Sequence, residues 1–241
     1  MRLSYGVIAL ALTAILFGCS SKPRIAKTDP YLMPADEFRK NVKIIAVAPL
    51  GVPEGLADPA LLVAEFSNAI DEALSSYGYS VIRPQQYQTV WQRISRESDD
   101  FLNPVTHERN EVKMSKAMFQ TLDELDADFE LDGVLFANIV LVKAAFAAGT
   151  AVWDGVEQQI ETAGPVASFL SGAQRGEIGA LSLRVCIRGE DGESIFLNSG
   201  GIEVLSKLSG KEFVSVPRQN LFADKERNRR AVTTALEPLK R

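Results

Sequence analysis

Residues 134–146 constrain the fold more than any other stretch. They are thirteen residues of Val, Leu, Ile, Phe and Ala, broken only by Asn138 and Lys143. A run so rich in β-branched and aromatic side chains reads as one long strand. Being apolar at both odd and even positions, it reads as a strand buried on both faces, at the centre of a sheet. Gly149 marks a turn, and 150–160 reads as the returning strand.

The remaining elements arrange themselves around that strand. Residues 43–50 are a continuous apolar run ended by Pro49, which predicts a second buried strand. Asp58-Pro59 supplies an N-cap and a proline at the first helical position. Leu62, Phe66, Ala69, Ile70, Ala73 and Leu74 then recur at helical spacing until Gly78 stops the helix. Residues 79–83 predict a strand, so strand, helix and strand form a parallel βαβ unit. Residues 85–94 and 111–125 read as helices, the second with Met114, Met118, Leu122 and Leu125 as its apolar stripe.

Leu181, Leu183, Val185 and Ile187 alternate with Ser182, Arg184, Cys186 and Arg188, the pattern of a half-buried strand. Asp191-Gly192 predicts a hairpin turn, and 194–205 a return strand bulged at Gly200-Gly201. Asp224 is placed to cap a last helix whose apolar face is Val232, Ala235, Leu236 and Leu239. The expected class is therefore α/β (α+β): a mixed sheet with a βαβ opening, antiparallel hairpins and a C-terminal helix.

The beginning of the chain has a different character. Residues 6–17 carry no charge, too few residues to span about 30 Å of hydrocarbon as a helix but the length of a signal-peptide core. The run ends in Leu16-Phe17-Gly18-Cys19, followed by Ser20. This arrangement resembles the lipobox of bacterial lipoproteins. The resemblance implies that residues 1–18 are removed, that Cys19 is acylated on its thiol and new amine, and that Ser20 directs the protein to the outer membrane, facing the periplasm. Residues 19–41, with Pro23, Pro30 and Pro34, read as a lipidated tether, and 42–241 as the folded domain. Fully extended, such a tether reaches about 73 Å at roughly 3.3 Å per residue. With Cys19 acylated, only Cys186 remains and no intrachain disulfide forms.

The domain is similar to periplasmic αβ domains of outer-membrane lipoproteins: the curli-secretion channel lipoprotein, the lipoprotein activators of penicillin-binding proteins, and the N-terminal domain of the TolB protein. The similarity lies in the opening strand ending in Ala48-Pro49-Leu50, the Tyr77-Gly78-Tyr79 join and the Asp191-Gly192-Glu193 hairpin, and spans residues 42–240.

Candidate chemistry is sparse. With one His and two Cys, zinc chemistry and histidine catalysis have almost nothing to work with. His107 sits in a charged loop without a nucleophile elbow. Asp128, Glu130, Asp132 and Gly133 match the start of a calcium loop, but Phe136 and Ile139 occupy its later ligand positions, so the acidic cluster from Asp123 to Asp132 reads as a solvated helix end. Cys186 lies between Arg184 and Arg188 and reads as a small half-buried residue. No phosphate loop is present, and Arg227, Arg229 and Arg230 read as a solvated helix face. The net charge of −5, with no basic block, argues against nucleic acid. No catalytic residue, metal or cofactor is expected.

Two long loops, 95–110 and 161–179, carry apolar pairs amid polar residues: Phe101 with Leu102, and Phe169 with Leu170. These four are the candidate partner-binding residues. The expected role is a non-enzymatic interaction or assembly component of the cell envelope. The alternatives are a subunit of an oligomeric secretion channel, favoured by the small-residue stretch 144–151, or a hydrolase or redox enzyme using Cys186 or His107.

Overall fold

A computed structural model of the chain describes residues 28–53, 59–97, 101, 110–160, 175–209 and 212–241. The architecture is a seven-stranded mixed sheet with helices on both faces and a small separate hairpin. Among the described residues no helix is long and apolar enough to cross a membrane.

The opening unit follows the sequence pattern. β1 (Ile44–Val47) leads to α2 (Pro59–Ser76) and then to β2 (Ser80–Ile82), which pairs parallel to β1. Leu62, Phe66, Ile70 and Leu74 are the buried ridge of α2, one residue every four. The helix ends where the Tyr79 N–H bonds Leu74 O at 3.1 Å across Gly78, whose φ is +88°. That reversal needs a left-handed residue, which only glycine takes without strain.

β3 (Gly133–Ala147) organises the sheet. One of its edges carries β1 in parallel at its start and β4 (Thr150–Trp153) antiparallel at its end. Its other edge pairs antiparallel with β6 (Arg175–Arg188) without a break, from Val134 opposite Arg188 to Ala147 opposite Arg175. β6 then pairs with β7 (Ser194–Val204) through the turn at Asp191 and Gly192.

The start of β3, residues 133–135, is buried on both faces, as expected, but Phe136 is half-buried and Asn138 exposed. Leu135, Ala137 and Ile139 face the main core with α2 and the last helix, α5 (Lys225–Leu236). Val134 faces a second core under α3 (Pro84–Glu97) and α4 (Glu111–Phe129). Beyond Ile139 the helical layer ends: Leu141, Lys143 and Ala145 face solvent, while Ala144 and Phe146 enter a third core. Two-sided burial therefore holds only at the start of the strand.

The third core forms because the sheet curls. The region 150–160 is not one returning strand but two, β4 and β5 (Val156–Gln159), joined at Asp154-Gly155. β5 bends back toward β7, where Gly201 N–H bonds Asp154 O at 2.9 Å, and Leu208 N–H bonds Ile160 O at 2.7 Å. Trp153, Val156 and Ile160 fill the enclosed space, and the small residues Ala144 and Ala151 are covered there by the domain itself. Gly200 and Gly201 make the closure possible. A Cβ on Gly200 would lie 2.0 Å from Ala231 O on α5, and one on Gly201 would lie 2.8 Å from Trp153 Nε1. The expected bulge is one residue further on: the register passes from Ser182–Gly201 to Leu181–Glu203, leaving Ile202 as the extra residue.

Three other boundaries differ from the sequence reading. The loop expected over 161–179 ends by 174, because residues 175–179 pair with β3. An unexpected hairpin, β8 (Ser206–Ser209) with β9 (Glu212–Ser215), follows β7. Most consequentially, the tether does not extend to residue 41. Leu197 N–H bonds Pro30 O, Leu32 N–H bonds Ile195 O, and α1 (Ala35–Asn41) buries Phe38 completely. Tyr31 stands edge-on to both Phe38 and Phe196, at 5.3 and 5.5 Å, and its hydroxyl donates to Pro238 O. Pro30 and Pro34, which suggested a tether, instead set an extended edge segment and a helix start. Residues 19–27 lie outside the described residues.

If residues 30–41 belong to the fold, Phe38→Ala lowers the unfolding free energy by about 3 to 5 kcal/mol, the usual loss for a fully buried Phe. Urea denaturation of the purified domain measures this; a shift within about 0.5 kcal/mol, the size of a surface substitution, would restore the tether.

Candidate functional site

The expected site residues fall in different places. Phe101 is half-buried and stacks on Trp91 of α3, with ring centroids 5.8 Å apart and planes 12° from parallel. Its carbonyl accepts from Asn110 N–H at 2.6 Å, at the start of α4. Leu102, Phe169, Leu170, Cys19 and His107 lie outside the described residues. Cys186 Sγ is 3.3 Å from Ser194 Oγ within the β6–β7 pair.

The acidic cluster divides into two roles. Asp132 is structural: its Oδ2 accepts from Lys43 N–H at 2.6 Å and Ile44 N–H at 2.7 Å, fixing the start of β1 beside β3. Glu124 is half-buried and pairs with Arg93 of α3, while Asp123, Asp126, Asp128 and Glu130 are exposed at the end of α4. This helix starts well, with the Asn110 side chain accepting from Lys113 N–H at 3.1 Å. It ends badly, with no basic residue in its last turn and with Asp126, Asp128 and the left-handed Glu130 at the negative pole of the helix dipole. Each such charge disfavours the helix by about 0.3 to 1 kcal/mol at low ionic strength.

The β6–β7 turn, which carries Glu190, Asp191 and Glu193, packs against the middle of this helix. The Phe119 ring of α4 lies against Gly192, where a Cβ would stand 2.4 Å from Phe119 Cε1. Phe119 is nevertheless 42% exposed, and Val112, two turns earlier on the same face, is 81% exposed. Val112, Ser115, Lys116, Phe119, Gln120 and Asp123 line a shallow concavity along α4. The stripe expected to be buried differs too: Ala117, Thr121, Leu122 and Leu125 are the residues α4 buries, while Met114 and Met118 are half-buried.

A second polar constellation lies between β7, α5 and α2. Glu203 is 6% exposed, accepts from the Phe222 backbone N–H, and lies 3.4 Å from the Arg227 guanidinium. Phe222 holds a left-handed φ of 62°, and its carbonyl accepts from Asn228 Nδ2 at 2.9 Å. The same Nδ2 reaches Glu65 Oε1 at 3.0 Å. Burial pushes the Glu203 carboxyl above the ordinary carboxylate value, against the opposing pull of the Phe222 N–H and Arg227. This chain of buried polar groups ties the segment before α5 to the sheet. A cleft of about 230 Å³ opens beside it, with Glu65 and Glu72 on α2 and Lys225 and Arg229 on α5. Among the described residues no group of three or more His, Cys, Asp or Glu side chains is arranged to hold a metal ion.

No protein-family model matches the chain, and no curated protein matches it. Among solved structures, one described as a neuraminyllactose-binding hemagglutinin homolog from Helicobacter pylori is similar at a TM-score of 0.34 and 9% identity, covering 84% of this chain and 82% of that one. A likeness at that score carries no argument about function.

The Glu203 network makes a pH prediction. A raised native value means that the native state holds its proton more tightly than the unfolded state does. Glu203 therefore contributes stability at low pH that is lost as pH rises from the ordinary value of 4.5 through the raised native one. Glu203→Gln keeps the acceptor for Phe222 and removes the titration. The variant should match the parent near pH 4 and equal or exceed it in melting temperature at pH 7. A parent that gains stability relative to the variant across this range would show that ion pairing, not burial, dominates at Glu203.

Proposed function

We propose that this chain is a lipoprotein of the outer membrane whose periplasmic αβ domain binds a protein partner in the cell envelope, without enzymatic activity of its own. The observation that carries the anchor is the uncharged run 6–17 ending in Leu16-Phe17-Gly18-Cys19. Each buried CH₂ contributes about 0.8 kcal/mol and one acyl chain holds only marginally, so several chains on one residue are needed to keep the protein at the bilayer.

The fold supports a particular geometry for that anchor. Among the described residues Pro30 is the first hydrogen-bonded to the sheet, at the edge of β7. From Cys19 to Pro30 the chain reaches at most about 36 Å at roughly 3.3 Å per residue. That is half the reach of a tether ending at residue 41, so the domain works close to the membrane that anchors it. A partner must then be a membrane neighbour or a periplasmic protein that comes to the bilayer surface. The exposed apolar face of α4 supports the binding role, since Phe119 and Val112 gain free energy when covered.

The test of the anchor is metabolic labelling with palmitate in a diderm bacterium. Wild-type protein should be labelled and sediment with outer membranes; Cys19→Ser should be unlabelled and unprocessed or soluble. Label retained in Cys19→Ser would overturn the lipid anchor.

A further inference from the structure

We propose that the outer face of α4, together with the β6–β7 turn, is the docking surface for a basic amphipathic helix of a partner protein. This deepens the partner-binding reading and rests on it. The face has two halves. Its N-terminal half presents Val112 and Phe119, seven residues apart and 81% and 42% exposed, with the exposed Lys116 between them. Its C-terminal half presents Asp123, Asp126 and Glu130 on the same ridge, and the turn that packs against Phe119 carries Glu190, Asp191 and Glu193. Among the described residues none of these six carboxylates forms an ion pair.

Charge complementarity selects the occupant. The acidic half coincides with the negative pole of α4, an arrangement that works against the helix itself and favours any cation brought to it. A partner helix fits the spacing, because residues seven apart on a helix are separated by about 10.5 Å, the same step as Val112 to Phe119. Laid antiparallel to α4, it sets apolar side chains over Val112 and Phe119, Lys or Arg over Asp123 and Asp126, and its own positive N-terminal pole over the acidic end. A second copy of this chain fits less well. An antiparallel α4 pair centred on Phe119 sets Val112 opposite Asp126, an apolar side chain against a carboxylate.

Two measurements test this. The first uses the folded chain and a synthetic 18-residue Leu/Lys amphipathic helix, with a Leu/Glu helix of the same pattern as control. The Leu/Lys helix should bind, shift amide resonances of residues 112–126 and 190–193, and lose at least tenfold in affinity with either Phe119→Ser or the pair Asp123→Lys and Asp126→Lys. Melting temperatures should stay within a few degrees. Binding unchanged by these variants, or spread evenly over the surface, overturns the proposal.

The second places a photo-reactive residue at position 115 or 120, or as controls at 61 or 141, in the lipidated chain in intact envelopes. Adducts at 115 and 120 that vanish with the charge-reversal pair support the surface. Adducts confined to 61 or 141 overturn it while leaving a partner in place. Adducts of twice the chain's mass at 115 or 120 overturn it in favour of self-association, and no adduct at any position overturns the partner-binding reading itself.

Discussion

The ladder between β3 and β6 is the interaction on which the rest of the domain depends. It runs unbroken from Val134–Arg188 to Ala147–Arg175, and every other strand of the sheet is attached to one of its two strands directly or through one intervening strand. β1, which carries β2, pairs with the start of β3, β4 of the curled β4–β5 hairpin pairs with its end, and β7 extends β6. A parallel pair of strands as short as four and three residues has little stability of its own. Here β1 gains it from β3, with Asp132 bonding the first two amides of the segment.

A ladder of that length creates an edge problem, because β7 would otherwise expose its outer hydrogen-bonding groups along much of its length. The chain covers them in two ways. Residues 30–32 cap the first part of β7, and the Asp154-Gly155 turn covers the part around Gly201. The N-terminal segment thus protects the sheet edge at the point where the chain departs toward its proposed anchor. Edge protection and membrane proximity follow from the same few hydrogen bonds.

Much of this was legible in the residues. The βαβ unit, the long strand, the Asp-Gly hairpin and the Asp224 cap, whose carboxylate accepts from Arg227 N–H at 3.0 Å, each rest on local chemistry that tertiary packing did not override. What was missed depends on contacts distant in sequence. Phe38 is the one buried residue of a seven-residue helix, too few positions to show a period, and its partners Tyr31 and Phe196 are the signal only once folded. The turn at Asp154-Gly155 was visible as a glycine but overshadowed by Gly149. The β8–β9 hairpin is short and largely exposed, with Phe213 held by a ring contact to Phe146 across 67 residues of chain. The candidate surface was hidden for a related reason. The stripe of Met114, Met118, Leu122 and Leu125 draws attention to the buried side of α4. The informative residue is Phe119, an aromatic on the polar side whose meaning appears only when Gly192 and its acidic neighbours are brought beneath it.

Native-state hydrogen exchange of the backbone amides tests the central role of the ladder most directly, because it reports the free energy of opening at each pair. If β3 and β6 form one cooperative unit that supports both ends of the domain, the slowly exchanging amides of residues 140–146 and 176–182 should open with nearly the same free energy as those of 134–139 and 183–187, close to that of global unfolding. Exchange through the distal half that is faster by several orders of magnitude, with the proximal half still protected, would show two independent units and contradict the account.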